Sequence, residues 1–341
     1  MICHINLAKG YRGGERQTEL LIKELSLKGF KQKIFVRKNS KLIERLKDLE
    51  FLDIIELNKP FILNIFKFKE CRVLHAHEKK AEQLAFFVNM FLDIPYFITR
   101  RVDIQPKINF FNKLIYKNAK KVFVLSSIIN DIMQNNFEVN TQIIPSVSSS
   151  LKITPELEKL KSKYKDKFII SNIAALVNSH KGQKFIIEAA KLLKDYKDIK
   201  FLIVGEGRDK DEYQKMIKEY NLDNIELVGF KKNVGDYLEI SDIFLFPSLN
   251  EGLGSILIDA MEFKKPIIAT NVGGIPDLIK DNYNGLLISS QNAIAIKEAI
   301  LKLYNNKNLR ETLSHNAKKE SDKYQMKTLV NKYIENYKEF L

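Results

Sequence analysis

Two α/β domains, each built on a doubly wound parallel sheet, are what this sequence predicts, and three observations carry the expectation. The 341 residues are enough for two domains of ordinary size, each with its own core. Short apolar runs that read as buried strands alternate with longer stretches of helical period, the pattern of βαβ units. Several of those runs end on glycine, histidine or arginine, at the edge where an open parallel sheet binds its ligands.

Ile2 to Ala8 reads as the first strand, with a turn at Gly10, Gly13 and Gly14 behind it. A helix then runs to about Lys28, with Leu20, Leu21, Leu25 and Leu27 on its apolar side. Further strands are expected at Gln32–Val36, Ile54–Leu57, Val73–Ala76, Pro95–Thr99 and Lys121–Leu125, and helices at Lys41–Glu50 and Lys79–Phe91. His75 and His77 fall at the end of one strand, and Thr99-Arg100-Arg101 at the end of the next. Paired arginines are ordinarily a solvated basic patch; the fork of Arg101 also suits a phosphate or an acidic acceptor. Residues 146–166 are polar and read as a linker with an outer helix.

The second domain opens with KFIISNIAAL from Lys167, followed by Lys181-Gly182 and a helix with Phe185, Ala189, Leu192 and Leu193 on one face. FLIVGEG and NIELVGF give two more strands, the second ending at Gly229-Phe230. Ile243 to Phe246 is a buried strand that Pro247 and Ser248 stop. The loop behind it carries Glu251, Gly252 and Gly254, and a helical pattern begins near Ser255 with Ile256, Ala260 and Phe263 in phase. Another strand (Ile267 to Ala269), a short helix after Gly273-Gly274 and three helical segments over 291–341 complete the chain. A strand, a glycine loop and an exposed helix N-terminus form an anion site, because free amides and the helix dipole converge there. Gly254, Ser255 and Ile256 would face phosphates, Glu251 a sugar and Asp259 a ribose; eight helical residues span roughly 12 Å, the reach of a nucleotide sugar. The two acids read equally well as a solvated loop residue and an ordinary helix residue.

EGLGSILIDAM followed by PIIATNVGGIPDLI resembles the signature of the retaining glycosyltransferases of the glycogen-synthase-like family four, and the likeness continues through GGERQTELLIKELSLKGFKQKIFV, HAHE, KNAKKVFVLSSIINDIMQNN and QIIPS. The resemblance implies a GT-B fold: two Rossmann-like domains facing across a cleft. Residues 1–150 would bind the acceptor, 151–320 the nucleotide sugar, and a C-terminal helix over 321–341 would pack across the domains. It implies a retaining transfer of a sugar, from a UDP-sugar by preference, to a saccharide acceptor in bacterial surface-glycan synthesis. In the family, Lys181 neutralises the leaving diphosphate, Glu251 holds the sugar, and His77 lies beside the donor sugar and acceptor. The pair Gly13-Gly14 lets the backbone approach the donor, and the base stands near Gly229 and Phe230. No cofactor beyond the donor is implied. No Asp-x-Asp pair is placed to hold a metal against the diphosphate, so Lys181 and the helix amides would do that work. The chain departs from the family at three places: Asp259 stands where a glutamate is usual, Ala175 where an arginine is usual, and Ser146-Val147-Ser148 where the hinge has a glycine.

The net charge of +14 is concentrated in residues 1–150, which hold a net +10. An anionic membrane surface would suit that excess. Nucleic acid is not expected as a partner, since no compact binding motif accompanies the charge. Lys59 to Lys69 and Lys107 to Lys121 mix aromatic and basic residues. They read either as helices lying in a membrane interface or as segments turning Phe66, Phe111 and Ile115 to the core. A cytoplasmic enzyme, reversibly attached to the inner face of the membrane and serving a lipid-linked saccharide, fits the first reading. Cys3 and Cys71 are too few for a disulfide framework and are expected as free thiols in a reducing cytosol. No run is long enough to span a bilayer, and the N-terminus does not read as a signal peptide. A nucleotide-sugar epimerase, or a non-catalytic sugar-nucleotide binder, would share this architecture.

Overall fold

Seven strands make one parallel sheet, and their order reverses in the middle. They are β1 (Ile2–Asn6), β2 (Gln32–Arg37), β3 (Leu52–Leu57), β4 (Val73–Ala76), β5 (Tyr96–Arg100), β6 (Lys121–Val124) and β7 (Thr141–Ile143). Their spatial order is β3-β2-β1-β4-β5-β6-β7, so the chain winds outward from β1 in one direction and from β4 in the other. The computed structural model describes all of Met1–Leu341 and divides it into two units, the first comprising Met1–Ser149 with Tyr324–Leu341 and the second Ser150–Lys323. The second unit repeats the plan with β8 (Phe168–Ile173), β9 (Ile199–Val204), β10 (Ile225–Gly229), β11 (Ile243–Phe246), β12 (Ile267–Thr270) and β13 (Leu286–Ile288), in the order β10-β9-β8-β11-β12-β13. β1, β4, β11 and β12 are buried along their whole length, which is why they show no alternation; β1 and β4 nevertheless hold His4, Asn6 and His75.

The first core is closed by the far end of the chain. The helix Met326–Tyr337 contributes Leu329, Val330, Tyr333, Ile334 and Tyr337 to a cluster with Ile2, Val73, Phe97 and Phe123. The helix Gly13–Leu27 packs beside it and ties down the stretch expected as a hinge. Gln17 holds Val147 at both backbone groups, accepting from its N–H at 2.8 Å and donating to its carbonyl at 2.9 Å. Arg16 donates to the Ser149 carbonyl at 2.9 Å.

Four expectations are corrected. Cys3 and Cys71 form a disulfide, with Cα atoms 5.8 Å apart; the register that pairs Ile2 with Val73 brings them together across 68 positions. Leu27 is 83% exposed, because the buried face of its helix runs through Leu21, Ile22 and Leu25 and ends one residue short of it. Leu192 is likewise exposed beside buried Ala189, Ala190 and Leu193. The helix expected over Lys41–Glu50 stops at Leu46, after its two buried positions, Leu42 and Leu46. In the basic, aromatic stretches, Phe61–Phe68 is a 3-10 helix that buries Ile65 and Phe68 and leaves Phe66 70% exposed; Ile115 is buried and Phe111 half-buried against Phe86 and Phe87, whereas Phe110 on the same helix is 79% exposed.

Candidate active site

In the second unit the strand order reverses between β8 and β11, where Ile170 pairs with Ile243 and Ser171 with Phe244. The loops leaving these two strands therefore meet, and each carries one charged residue singled out above. Lys181 and Glu251 form an ion pair there, both partly buried, with the Lys181 ammonium 5.4 Å from the centre of the Phe246 ring. Gly182 makes the meeting possible. It adopts φ +65, and a β-carbon there would lie 2.1 Å from the Pro247 carbonyl oxygen. The Leu249 N–H donates to the His180 carbonyl at 2.8 Å, and the Gly274 N–H to the Glu251 carbonyl at 2.9 Å, so the loop is held from both sides.

The helix expected after Glu251 spans Ser255–Glu262, with Gly254 in the left-handed region at φ +83 as its N-cap. Ser255 and Ile256, at its first turn, are partly open, whereas Asp259 is buried, as are Leu257, Ile258 and Ala260 around it. Gly229 ends β10, and Phe230 behind it is 67% exposed. A residue that the sequence did not single out stands nearby. Arg208, beyond β9, donates from Nη2 to the Ser179 hydroxyl at 3.0 Å, two residues from Lys181. Ala175 offers no cation, but its carbonyl accepts from Gln183 at 2.9 Å. Asp209 caps the same loop, accepting the Asn178 N–H at 2.5 Å.

The first unit brings His77, Arg101 and Gly13-Gly14 together at the other reversal; the two glycines, expected as part of a turn, are the first residues of the helix Gly13–Leu27. β1 and β4 are neighbours, with His4 opposite His75. His4, His75 and His77 are all buried, and one ring nitrogen of each lies within 4.8 Å of those of the other two. Arg101 passes close over Gly14, where a β-carbon would stand 3.3 Å from its Cδ, and its Nη2 lies 3.4 Å from His77 Nδ1. Its Nε is buried without a hydrogen-bond partner. Arg100 does not belong to a solvated patch: it is buried and donates to the Ile104 carbonyl.

Three clustered imidazoles suggest a divalent ion, but the ring nitrogens are engaged by protein groups. His75 meets the hydroxyls of Thr99 and Tyr337, each at 2.6 Å. His4 Nδ1 meets His77 Nε2 at 3.0 Å, and His4 Nε2 meets Gln32 Oε1 at 3.1 Å. A guanidinium at the fourth side would repel a cation. Burial lowers the pKa of His4 to about 4. Burial first, then the neighbouring histidines and Arg101, hold His77 well below the ordinary histidine value. The cluster is a neutral hydrogen-bonded network. Sequence reasoning missed His4 and Gln32, whose signal is a polar side chain inside an otherwise buried strand.

Two parallel sheets, each with its reversal point, define a GT-B glycosyltransferase fold. HepE of Anabaena, solved in complex with UDP, is similar with a TM-score of 0.88 over 99% of each chain, at 17% identity. Residues 154–320, just under half of the chain, match the family model "Glycosyl transferases group 1". An uncharacterised glycosyltransferase of Methanocaldococcus jannaschii is 30% identical over 274 residues, or 76% of this chain and 65% of that protein. The N,N'-diacetylbacillosaminyl-diphospho-undecaprenol alpha-1,3-N-acetylgalactosaminyltransferase of Campylobacter jejuni is 29% identical over 240 residues, or 67% of this chain and 63% of that protein. The matches cover 42%, 65% and 41% of the first three curated relatives.

Proposed function

We propose that the chain transfers a sugar from a nucleoside-diphosphate sugar, a UDP-sugar by preference, to a saccharide acceptor with retention of anomeric configuration. The observation that carries this is the Lys181–Glu251 pair beside the N-terminus of the helix Ser255–Glu262. A nucleotide sugar supplies what each partner needs when they separate: an anion for Lys181 and hydroxyl donors for Glu251. Its diphosphate takes Lys181 and the amides of Gly254, Ser255 and Ile256, and its sugar hydroxyls take Glu251. Asp259 serves the ribose, and Gly229 and Phe230 the base. Negative charge grows on the diphosphate as the C–O bond breaks, and groups fixed in advance around it lower the barrier. The leaving phosphate takes the acceptor proton on the same face, with no covalent enzyme intermediate and no divalent ion. In the first unit, His77, Arg101 and Gly13-Gly14 serve the acceptor. The UDP bound by HepE and the diphospho-undecaprenol acceptor named for the Campylobacter relative support this reading.

The acceptor is lipid-linked, as in bacterial surface-glycan assembly, and the enzyme works at the inner face of the cytoplasmic membrane. No helix is long and apolar enough to cross a bilayer. The outward Leu63, Phe66 and Phe110, with Lys59, Lys67, Lys69 and Lys113 on the same segments, suit an anionic interface. The test is nucleotide release with a panel of nucleotide sugars, with and without chelator, and NMR of the product linkage. Turnover with a UDP-sugar, unchanged in EDTA and with retained configuration, is expected. An inverted linkage, or activity that returns only with magnesium, overturns those parts of the reading. Co-sedimentation should rise with anionic lipid and weaken with salt; a protein that stays in the supernatant throughout points to a soluble acceptor.

A further inference from the structure

We propose that His4, oriented by Gln32, is a positioning residue that fixes His77 in the tautomer with hydrogen on Nε2 and a bare Nδ1 toward Arg101. The inference rests on the reading of His77 as a substrate-facing group. It follows from hydrogen-bond direction, traced from both ends of one chain of side chains.

At the inner end, the Gln32 amide nitrogen donates to the Ile22 carbonyl at 3.1 Å, so its orientation is set by backbone. Gln32 Oε1 therefore faces His4 and accepts the Nε2–H at 3.1 Å. A neutral imidazole carries one hydrogen, so His4 Nδ1 is an acceptor. The only hydrogen that can fill it belongs to His77 Nε2, 3.0 Å away. At the outer end, Arg101 has donors and no acceptor. With Nη2 at 3.4 Å from His77 Nδ1, a hydrogen on Nδ1 would set donor against donor. The two ends agree, and the shorter contact, to His4, is the one that holds the ring. A cationic His4 would break it, by forcing the hydrogen of His77 onto Nδ1 against Arg101.

The consequence concerns the one loosely held position in the chain. His77 Nδ1 is met only by the long contact to Arg101, so it is the ring atom available to accept from a substrate hydroxyl. Without His4, the ring is free to turn over or to carry its hydrogen on either nitrogen, and that acceptor is no longer fixed. His75 does not compete for this role, since both its nitrogens are taken by Thr99 and Tyr337.

The experiment is long-range nitrogen–proton NMR of the full chain with nitrogen-15 histidine, with His77 assigned by its absence in His77→Gln. In the wild type, Nε2 of both His4 and His77 should show the protonated, pyrrole-like shift and Nδ1 the bare, pyridine-like shift. His77 protonated on Nδ1 overturns the proposal, and this measurement needs no variant. His4→Leu removes the acceptor and should give His77 a mixture of tautomers, whereas His4→Asn, whose amide oxygen can take the Nε2–H, should restore the single form. An unchanged His77 spectrum in folded His4→Leu also overturns it; should His4→Leu not fold, Gln32→Leu replaces it and should let His4 change tautomer. With a UDP-sugar as donor, turnover should fall roughly tenfold to 100-fold in His4→Leu, the scale of a misplaced reacting group. The Michaelis constant should change little, and His4→Asn should recover most of the rate. If the tautomers respond as expected while His77→Ala turns over normally, the positioning stands and the substrate-facing role of His77 falls.

Discussion

The two points where the strand order reverses hold polar groups of opposite kinds. Between β1 and β4 the side chains are neutral imidazoles, buried and bonded to one another, to Gln32, Thr99 and Tyr337. Between β8 and β11 the groups are full charges, Lys181 and Glu251, left partly open and paired only with each other. A buried network pays heavily for any missing partner, so the first site is rigid and its geometry is set before a ligand arrives. A partly exposed ion pair adds little to stability, about 1 kcal/mol or less, so it can be opened when a better counter-ion enters. Preorganised and exchangeable polarity thus sit at equivalent positions of two similar sheets.

The largest effect should separate the two sites by what each loss touches. Lys181→Ala and Glu251→Ala should each cut turnover about 100- to 1,000-fold, with the melting temperature nearly unchanged. Wild-type turnover in folded Lys181→Ala would break the assignment of charge to the second site.

Acid should act on the first site. His4 has a pKa of about 4 in the fold against about 6.5 when unfolded, so below pH 6.5 the unfolded chain binds more protons. Stability should be constant above that value, fall as the pH drops toward 4 and level off below it, by about 3 kcal/mol for His4 alone. His75 and His77, lowered for the same reason of burial, act in the same direction. Urea unfolding across that range is the measurement, and a flat profile from pH 7 to 4 would mean that these histidines take up protons equally in the folded and unfolded chain.

A smaller effect is expected from Gly182→Ala. The added carbon meets the Pro247 carbonyl at a backbone angle that suits glycine, which should cost about 2 kcal/mol of stability and displace Lys181, lowering turnover with it. A stable, fully active variant would show that the loop has another route to the same pairing. The smallest change should follow Arg208→Ala. If Arg208 supplies the cation absent at Ala175, the Michaelis constant for the nucleotide sugar should rise about fivefold, the scale of one exposed charge–phosphate contact; an unchanged constant leaves Lys181 as the only cation of that loop.

Much of this was legible from local pattern. Val73–Ala76 and Ile243–Phe246 were expected at the bounds they have; Ile243–Phe246 is an unbroken apolar run, as a fully buried strand can be, and Val73–Ala76 is interrupted only by His75. The helix after Gly254 was legible from its glycine and its period. What stayed hidden depends on register between distant strands. Cys3 and Cys71 carry no local sign of each other, and only the pairing of Ile2 with Val73 joins them. His4 looked like one polar letter in a strand, and its meaning comes from His75 and His77 one strand away. Arg100 read as solvated because charge predicts exposure on average; its carbonyl partner, Ile104, lies in a loop whose course the sequence does not give.

The helix Met326–Tyr337 has a consequence for synthesis. Tyr337 reaches His75 across 262 positions of chain and belongs to the first core. The second unit is one uninterrupted stretch, Ser150–Lys323, and leaves the ribosome whole. The first unit leaves it unfinished. At about 5–20 residues per second, the interval between His75 and Tyr337 is roughly 13–52 s. For that time Ile2, Val73, Phe97 and Phe123 lack the helix that covers them, so the part of the protein made first is the last to be sealed, and a nascent-chain chaperone has its longest access there.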